Sequence, residues 1–218
     1  MPRRGLLRAG LVYDMAMNLL TSLVPGVLDT LVGVGDTIEP WEVVDQLPDL
    51  LKQYAARLGD DYVRRGDGYV HKTARVHDTA ILQDIVVIEA DASVGPHAML
   101  RGGVWVGEGA HVGGSGEIKQ SIIGPRSAAA HLNYVGNSIV GADVNIEAGA
   151  VLANHFNERD DKTIWVLVDG QKVTTGVKKF GCLVGNHTRI GANAVTTPGT
   201  LLPPRTVVGR LELVSQLG

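Results

Sequence analysis

The sequence predicts an all-β solenoid: a parallel β-helix of hexapeptide repeats, with an N-terminal α-helical extension and an inserted β-hairpin loop. Three observations carry that reading. A branched or aliphatic residue returns every sixth position through Val70, Val76, Leu82, Ile88, Val94, Leu100, Val106, Val112 and Ile118. Neither an amphipathic helix nor an alternating strand sustains such a period. Where the count slips, it slips by one residue, at Ile123 in SIIG and at Val140 in SIVG, and the tetrad CLVG around Val184 restarts it. Composition agrees, because Gly 28 is high and aromatic content, 5%, is low, as core layers of small and β-branched residues require.

Three hexads make one triangular coil, so the anchors fall into three columns. Column A holds Val70, Ile88, Val106, Ile123 and Val140, and column B holds Val76, Val94, Val112, Ala129 and Ile146. Column C holds Leu82, Leu100, Ile118, Val135 and Leu152. Beyond Val184 the register continues through Ile190, Thr196, Leu202 and Val208.

Residues 5–20 form an amphipathic helical segment; Arg8 and Asp14 interrupt its apolar run, so it is neither a signal peptide nor a membrane span. Pro25 and Gly26 mark a turn, and GVGDT at 33–37 is a plain loop, since it lacks the Lys of a phosphate loop. From Pro40 an apolar stripe of Val43, Val44, Leu47, Leu50, Leu51, Tyr54 and Leu58 predicts a helix, with Pro48 as a place to kink or divide it and Gly59 as its stop. Residues 1–66 are thus expected to cap the open end of the solenoid, whose unpaired strands would otherwise be exposed. The β-helix is expected over 67–218. In the insert, 154–181, TIWVLV and QKVTT flank Asp169–Gly170, a strong hairpin signal. The tail RLELVSQ adds a last strand or lies across the end.

Net charge is -3, which gives no case for nucleic acid or an anionic membrane as partner. The single Cys182 excludes an internal disulfide framework and fits a reducing, cytoplasmic compartment. Its apolar neighbours mark it as a structural thiol.

Placed on the columns, the polar residues become informative. Arg101 and Lys119 each follow a column C anchor, one coil apart, while Glu117 and Tyr134 each precede one. Asn154 follows Leu152 by two, and His131 follows Ala129 by two. Two readings stay open for the cations: a solvated edge with Glu117 as partner, or a phosphate site, since stacked like charges need an anion. His131 in AAAHLNY is either an ordinary surface histidine or a general base, its usual pKa near 6.5 suiting the task. The other histidines lack the tight spacing of a zinc site, so no metal is expected.

The stretch GEIKQSIIGPRSAAAHLNYVGNSIVGADVNIEAGAVLANHFN closely resembles the acetyltransferase domain of the bifunctional sugar-1-phosphate nucleotidylyltransferase/glucosamine-1-phosphate N-acetyltransferase family. KVTTGVKKFGCLVGNHTRIGANAVTTPG resembles its archaeal-type branch, and the likeness runs over about residues 94–208. The resemblance implies a left-handed β-helix, acetyl-CoA as co-substrate, an amino-sugar 1-phosphate as acceptor and a homotrimer with sites between subunits. It is confined to the acetyltransferase part, without the nucleotidylyltransferase domain, which makes a separate nucleotidylyltransferase a candidate partner. By position it makes His131 the general base, Glu117 the carboxylate that orients it, and Asn154 a residue near the reacting groups. Arg101 and Lys119 match phosphate contacts, Tyr134 and Asn145 sugar contacts, and Ala148, Asn186 and Ala192 coenzyme contacts. The chain departs from the family pattern at Glu147 (NIEAG for NIGAG), at His155 in place of a frequent Tyr, and at the acidic pair Asp160 and Asp161. Two alternatives stand beside N-acetyl transfer: a hexapeptide acyltransferase on a nucleotide sugar or a hydroxyl, and a silent β-helix that binds a sugar nucleotide.

Overall fold

A computed structural model describes residues 19–28 and 38–216. The expected helix over 5–20, except its last two residues, and the loop at 33–37 lie outside the described residues.

The fold is the parallel β-helix read from the hexads. Column A anchors pair in the order Val70, Ile88, Val106, Ile123, Val140, Val184 and Leu202. Column B runs from Val76 to Val208 as one seven-stranded sheet, and column C runs from Leu82 to Thr196 and Val214. The anchors of all three columns point inward and form one dry core. The one-residue slip has a local cause. The strand Met99–Val106 turns its corner through Gly102 and Gly103, while its neighbour Glu117–Ile123 turns the same corner through Gln120 alone. Gly103 takes φ 95°, and a Cβ there would stand 3.0 Å from the ring of Pro48, so the glycine is what lets a helix approach this corner.

That helix, α2 (Pro40–Ala55), starts at Pro40 and continues unbroken through Pro48. The Glu42 carboxylate accepts the Glu39 N–H at 2.9 Å and so closes its first turn. It does not lie across the end of the solenoid as a cap. It packs along the first face, against the strands Val86–Ile88, Met99–Val106 and Glu117–Ile123. The reason is the residue before each column A anchor: Val87, Trp105, Ile122, Ile139, Leu183 and Leu201 point outward yet are buried. They form a second core with Val43, Val44, Leu47 and Leu51 of α2, with α1 (Leu19–Leu23), and with Ile164, Val166 and Phe180 of the insert. Glu89 anchors this layer: its carboxylate, 7% exposed, accepts from Trp105 Nε1 at 2.8 Å, Tyr54 Oη at 3.0 Å and the Tyr62 hydroxyl.

The N-terminal edge is covered differently. Tyr62–Arg65 form a strand antiparallel to Gly68–His71. Arg65 then donates to the Val76 and His77 carbonyls at 2.5 and 2.8 Å, acceptors at the N-terminal edge that the N–H groups of a preceding coil would otherwise reach. At the other end the tail does add a strand, Leu213–Val214, and the Gln216 amide pairs with the N–H and C=O of Leu201 like one more strand residue. In the insert, Trp165–Val168 and Gln171–Thr174 form the expected hairpin around Asp169 and Gly170, at φ 51° and 77°.

Candidate active site

The β-ladders place the column C residues as their spacing requires. Arg101 stands opposite Lys119, and Glu117 opposite Tyr134. Glu117 grips Arg101, accepting from Nε at 2.9 Å and from the terminal guanidinium nitrogen at 2.5 Å. Beside them Lys119 has Lys179 as a charged neighbour; burial first, then Lys179 and Arg101, push its pKa down, against the upward pull of Glu117. Burial, and next the Glu117 charge, push the Tyr134 phenol up, and its side chain contacts Asn154. Asn154 is buried; its amide donates to Asn137 Oδ1 at 2.7 Å, and its oxygen lies 3.2 Å from His155 Nδ1. Three cations, Arg101, Lys119 and Lys179, therefore gather about Glu117 at the corner between the third and first faces, where Asp84, one coil earlier, accepts the Gly102 N–H at 2.9 Å.

Lys179 was not expected. It sits at the end of the insert, where no hexad register assigns a position. The signal was local: Phe180, the next residue, is buried against Trp41 and donates its N–H to the Asn154 carbonyl, which brings the end of the insert back to this corner.

His131 occupies the other end of the third face, at the corner that follows Ala128–Ala129. It is exposed. The backbone there stacks in a column: Leu132 N–H bonds to Gly114 O, Gly149 N–H to His131 O, Asn193 N–H to Ala148 O, and Leu211 N–H to Ala192 O. Gly114, His131, Ala148, Ala192 and Arg210 thus follow one another along a single edge. Its histidine neighbour is His111, whose pKa burial lowers first and His131 lowers next. Glu117, expected at His131, has Arg101 as its ion-pair partner here. A Cβ on Gly113 would stand 3.2 Å from His131 Nδ1 and collide with Ala130 O, so a glycine is required under the ring.

The remaining positions separate. Asn145 is exposed on the second face, between Ala128 and Arg189. Ala148 and Ala192 share the edge of His131, whereas Asn186 lies at the corner after the first face. The Asn186 amide is engaged there, accepting from Ala142 N–H at 2.8 Å and donating to Pro25 O at 3.3 Å. Glu147 lies directly on the edge of His131. Its carboxylate takes the Ala192 N–H at 2.9 Å and Arg210 Nε and one terminal guanidinium nitrogen, each at 2.9 Å, and the Arg210 bond, then the Ala192 N–H, hold its pKa down. Cys182 is fully buried, and burial pushes its thiol far up, so it is no nucleophile.

Residues 64–164 match the family model described as GMPPB C-terminal domain. Among curated relatives, a bifunctional sugar-1-phosphate nucleotidylyltransferase/acetyltransferase of Sulfurisphaera tokodaii is 31% identical over 170 residues, which cover 75% of this chain and 42% of that protein. The bifunctional protein GlmU of Heliobacterium modesticaldum is 36% identical over 129 residues, covering 57% and 28%. The chain therefore spans less than half the length of either relative. A solved hexapeptide transferase family protein from Anaplasma phagocytophilum is 18% identical, with a TM-score of 0.37, over 67% of this chain and 72% of that one. The likeness expected from the 116–157 stretch is present: over the matched residues the hexapeptide-repeat chain is similar to bifunctional sugar-1-phosphate nucleotidylyltransferase/acetyltransferase proteins.

Proposed function

We propose that the chain is an acetyl-CoA-dependent N-acetyltransferase that acts on an amino-sugar 1-phosphate. One observation carries the acceptor: Arg101, Lys119 and Lys179 gathered about Glu117 leave an excess of positive charge, the match for a phosphate monoester dianion. Neighbouring ammonium groups are costly without such an anion, and a guanidinium held by a carboxylate is already oriented for it. In this reading Glu117 serves mainly to hold Arg101, and Tyr134, between cations and base, meets the sugar. Asn145, on the second face, would reach a sugar only from a neighbouring copy, in the homotrimer this reading includes.

Acetyl-CoA supplies the acetyl thioester. Ala148 and Ala192 suit it, being small and on the edge of His131, while the engaged amide of Asn186 does not. His131 Nε2 or Nδ1 takes the proton from the acceptor's ammonium or attacking amine. The nitrogen then attacks the thioester carbonyl, a C–N bond forms, and the C–S bond breaks with the thiolate as leaving group. A backbone N–H on the His131 edge, or the Asn154 amide, stabilises the oxyanion. No protein nucleophile takes part, in keeping with the buried Cys182. A cytoplasmic setting and a separate nucleotidylyltransferase as working partner belong to the same reading.

The test is a screen of amino-sugar 1-phosphates for thiol release from acetyl-CoA, with the product identified by mass. Release on an amino-sugar phosphate supports the reading; release only on nucleotide sugars or hydroxyl acceptors replaces it with the wider acyltransferase reading. No release on any acceptor, with folded protein, contradicts it.

A further inference from the structure

We propose that a cleft at the first coil of the second face is a separate binding site for a nucleoside diphosphate. The cleft, about 570 Å³, has the size of a small-molecule site. It lies between the strand Tyr62–Arg65 and the column B residues of the first three coils, away from the corner that holds Lys119 and Lys179. Val63 and the half-buried Val76 give it an apolar wall, and Lys72, Arg75 and Arg65 give it cations, while no carboxylate lines it. Arg65 is shared between two carbonyls and Asp78, 3.5 Å away. Lys72 and Arg75 have no ion pair among the described residues.

Imidazoles complete the cleft, and the sequence builds two of them with one device. His71-Lys72-Thr73 and His77-Asp78-Thr79 repeat one pattern a hexad apart. In each, histidine Nδ1 accepts the threonine N–H at 3.2 Å, which leaves the neutral ring's proton on Nε2 as a free donor. His111 Nδ1 is likewise engaged, with Ser93 Oγ at 2.8 Å. An apolar wall rimmed by two unpaired cations and outward N–H donors, with no opposing carboxylate, fits a flat apolar ring bearing two linked phosphates. A bare anion would leave the valines unused, and an uncharged nucleoside would leave the cations unpaired.

The experiment is calorimetric titration of the full chain with UDP, uridine and pyrophosphate as probes. The expected result is saturable UDP binding, with uridine and pyrophosphate each weaker by about tenfold or more, on the order of 1.4 kcal/mol. Lys72→Glu/Arg75→Glu, which changes two exposed side chains, should weaken UDP at least about tenfold and leave acetyl transfer and melting temperature unchanged. Lys119→Ala should leave UDP binding intact. Absence of saturable binding, pyrophosphate binding as tight as UDP, or UDP binding that survives the double variant would each overturn the proposal. So would UDP binding lost in Lys119→Ala, which would place the nucleotide at the acceptor corner. If the double variant unfolds, the Lys119→Ala and pyrophosphate comparisons still decide.

Discussion

At the scale of single residues, the edge of His131 divides into what chemistry needs and what this chain has altered. An amine acceptor is protonated at neutral pH, so transfer requires a base in the complex, and His131 is an exposed imidazole on the edge that carries Ala148 and Ala192. His131→Ala is expected to lower kcat by about 10²–10⁴-fold, the usual loss for a general base, with the melting temperature held, because the exposed ring packs little. Turnover within a few-fold of the parent would remove His131 from the mechanism. Glu147 is the alteration. It draws the Ala192 N–H and Arg210 together on the same edge, where the family pattern has glycine. Glu147→Gly frees that N–H, so the KM for acetyl-CoA should fall while the acceptor KM stays; an unchanged or raised coenzyme KM would show that the Glu147–Arg210 clamp only ties coils together. Much of this was legible in the sequence, since a hexad register fixes which residues stack, as Arg101 over Lys119 and Glu117 over Tyr134 demonstrate. It was silent on lateral partners. Glu117 could reach Arg101 or the His131 corner, and only side-chain geometry chooses.

At the scale of elements, the instructive case is α2. Its apolar stripe was plain in the sequence; its docking place was not, although a signal existed. In column A the residue before each anchor is apolar in coil after coil, as in SIIG, SIVG and CLVG, whereas column B puts Ser93, His111, Asn145 and Arg189 there. A row apolar on both faces of a strand is a covered row, so the first face had to receive a partner element. Lys179 escaped for the opposite reason, because the insert has no period from which to read a position. The contact between α2 and the solenoid carries a pH dependence. Tyr54 and Tyr62 both bond Glu89; burial, and then that carboxylate, push Tyr54 up to about 12 and Tyr62 up as well. With the folded values raised above the unfolded value near 10, the stabilisation is complete below pH 10 and is lost as pH climbs through about 12. Tyr62→Phe should therefore flatten the fall in melting temperature on the alkaline side. An alkaline profile identical to the parent's would show that another group sets it.

At the scale of the whole molecule, a trimer would bury the coil faces that the chain leaves open. β-Branched rows on the coil faces would be wet in a lone prism, but the most apolar of them is covered by the chain's own α1, α2 and hairpin. What remains is the third face, with Ile81 49% and Leu213 67% exposed at its ends, and the separation of His131 from the cations at the two corners of that face. An assembly that brings one copy's cations toward another's His131 edge closes the gap. Light scattering should give three times the chain mass at micromolar concentration, and monomer alone would mean that a single chain must complete the site across its third face. In the proposed reaction this solenoid transfers acetyl groups to an acceptor held through its phosphate by Arg101, Lys119 and Lys179. That hold is measured by kcat/KM for glucosamine 1-phosphate and for glucosamine, in the parent and in Lys119→Ala and Lys179→Ala. A charge-assisted phosphate contact is worth about 1.5–3 kcal/mol. Each variant should thus lose roughly ten- to a hundredfold on the phosphorylated sugar, with the acetyl-CoA KM unchanged and little loss on glucosamine. Equal activity of the parent on the two sugars, or variants that act on glucosamine 1-phosphate as the parent does, would contradict it.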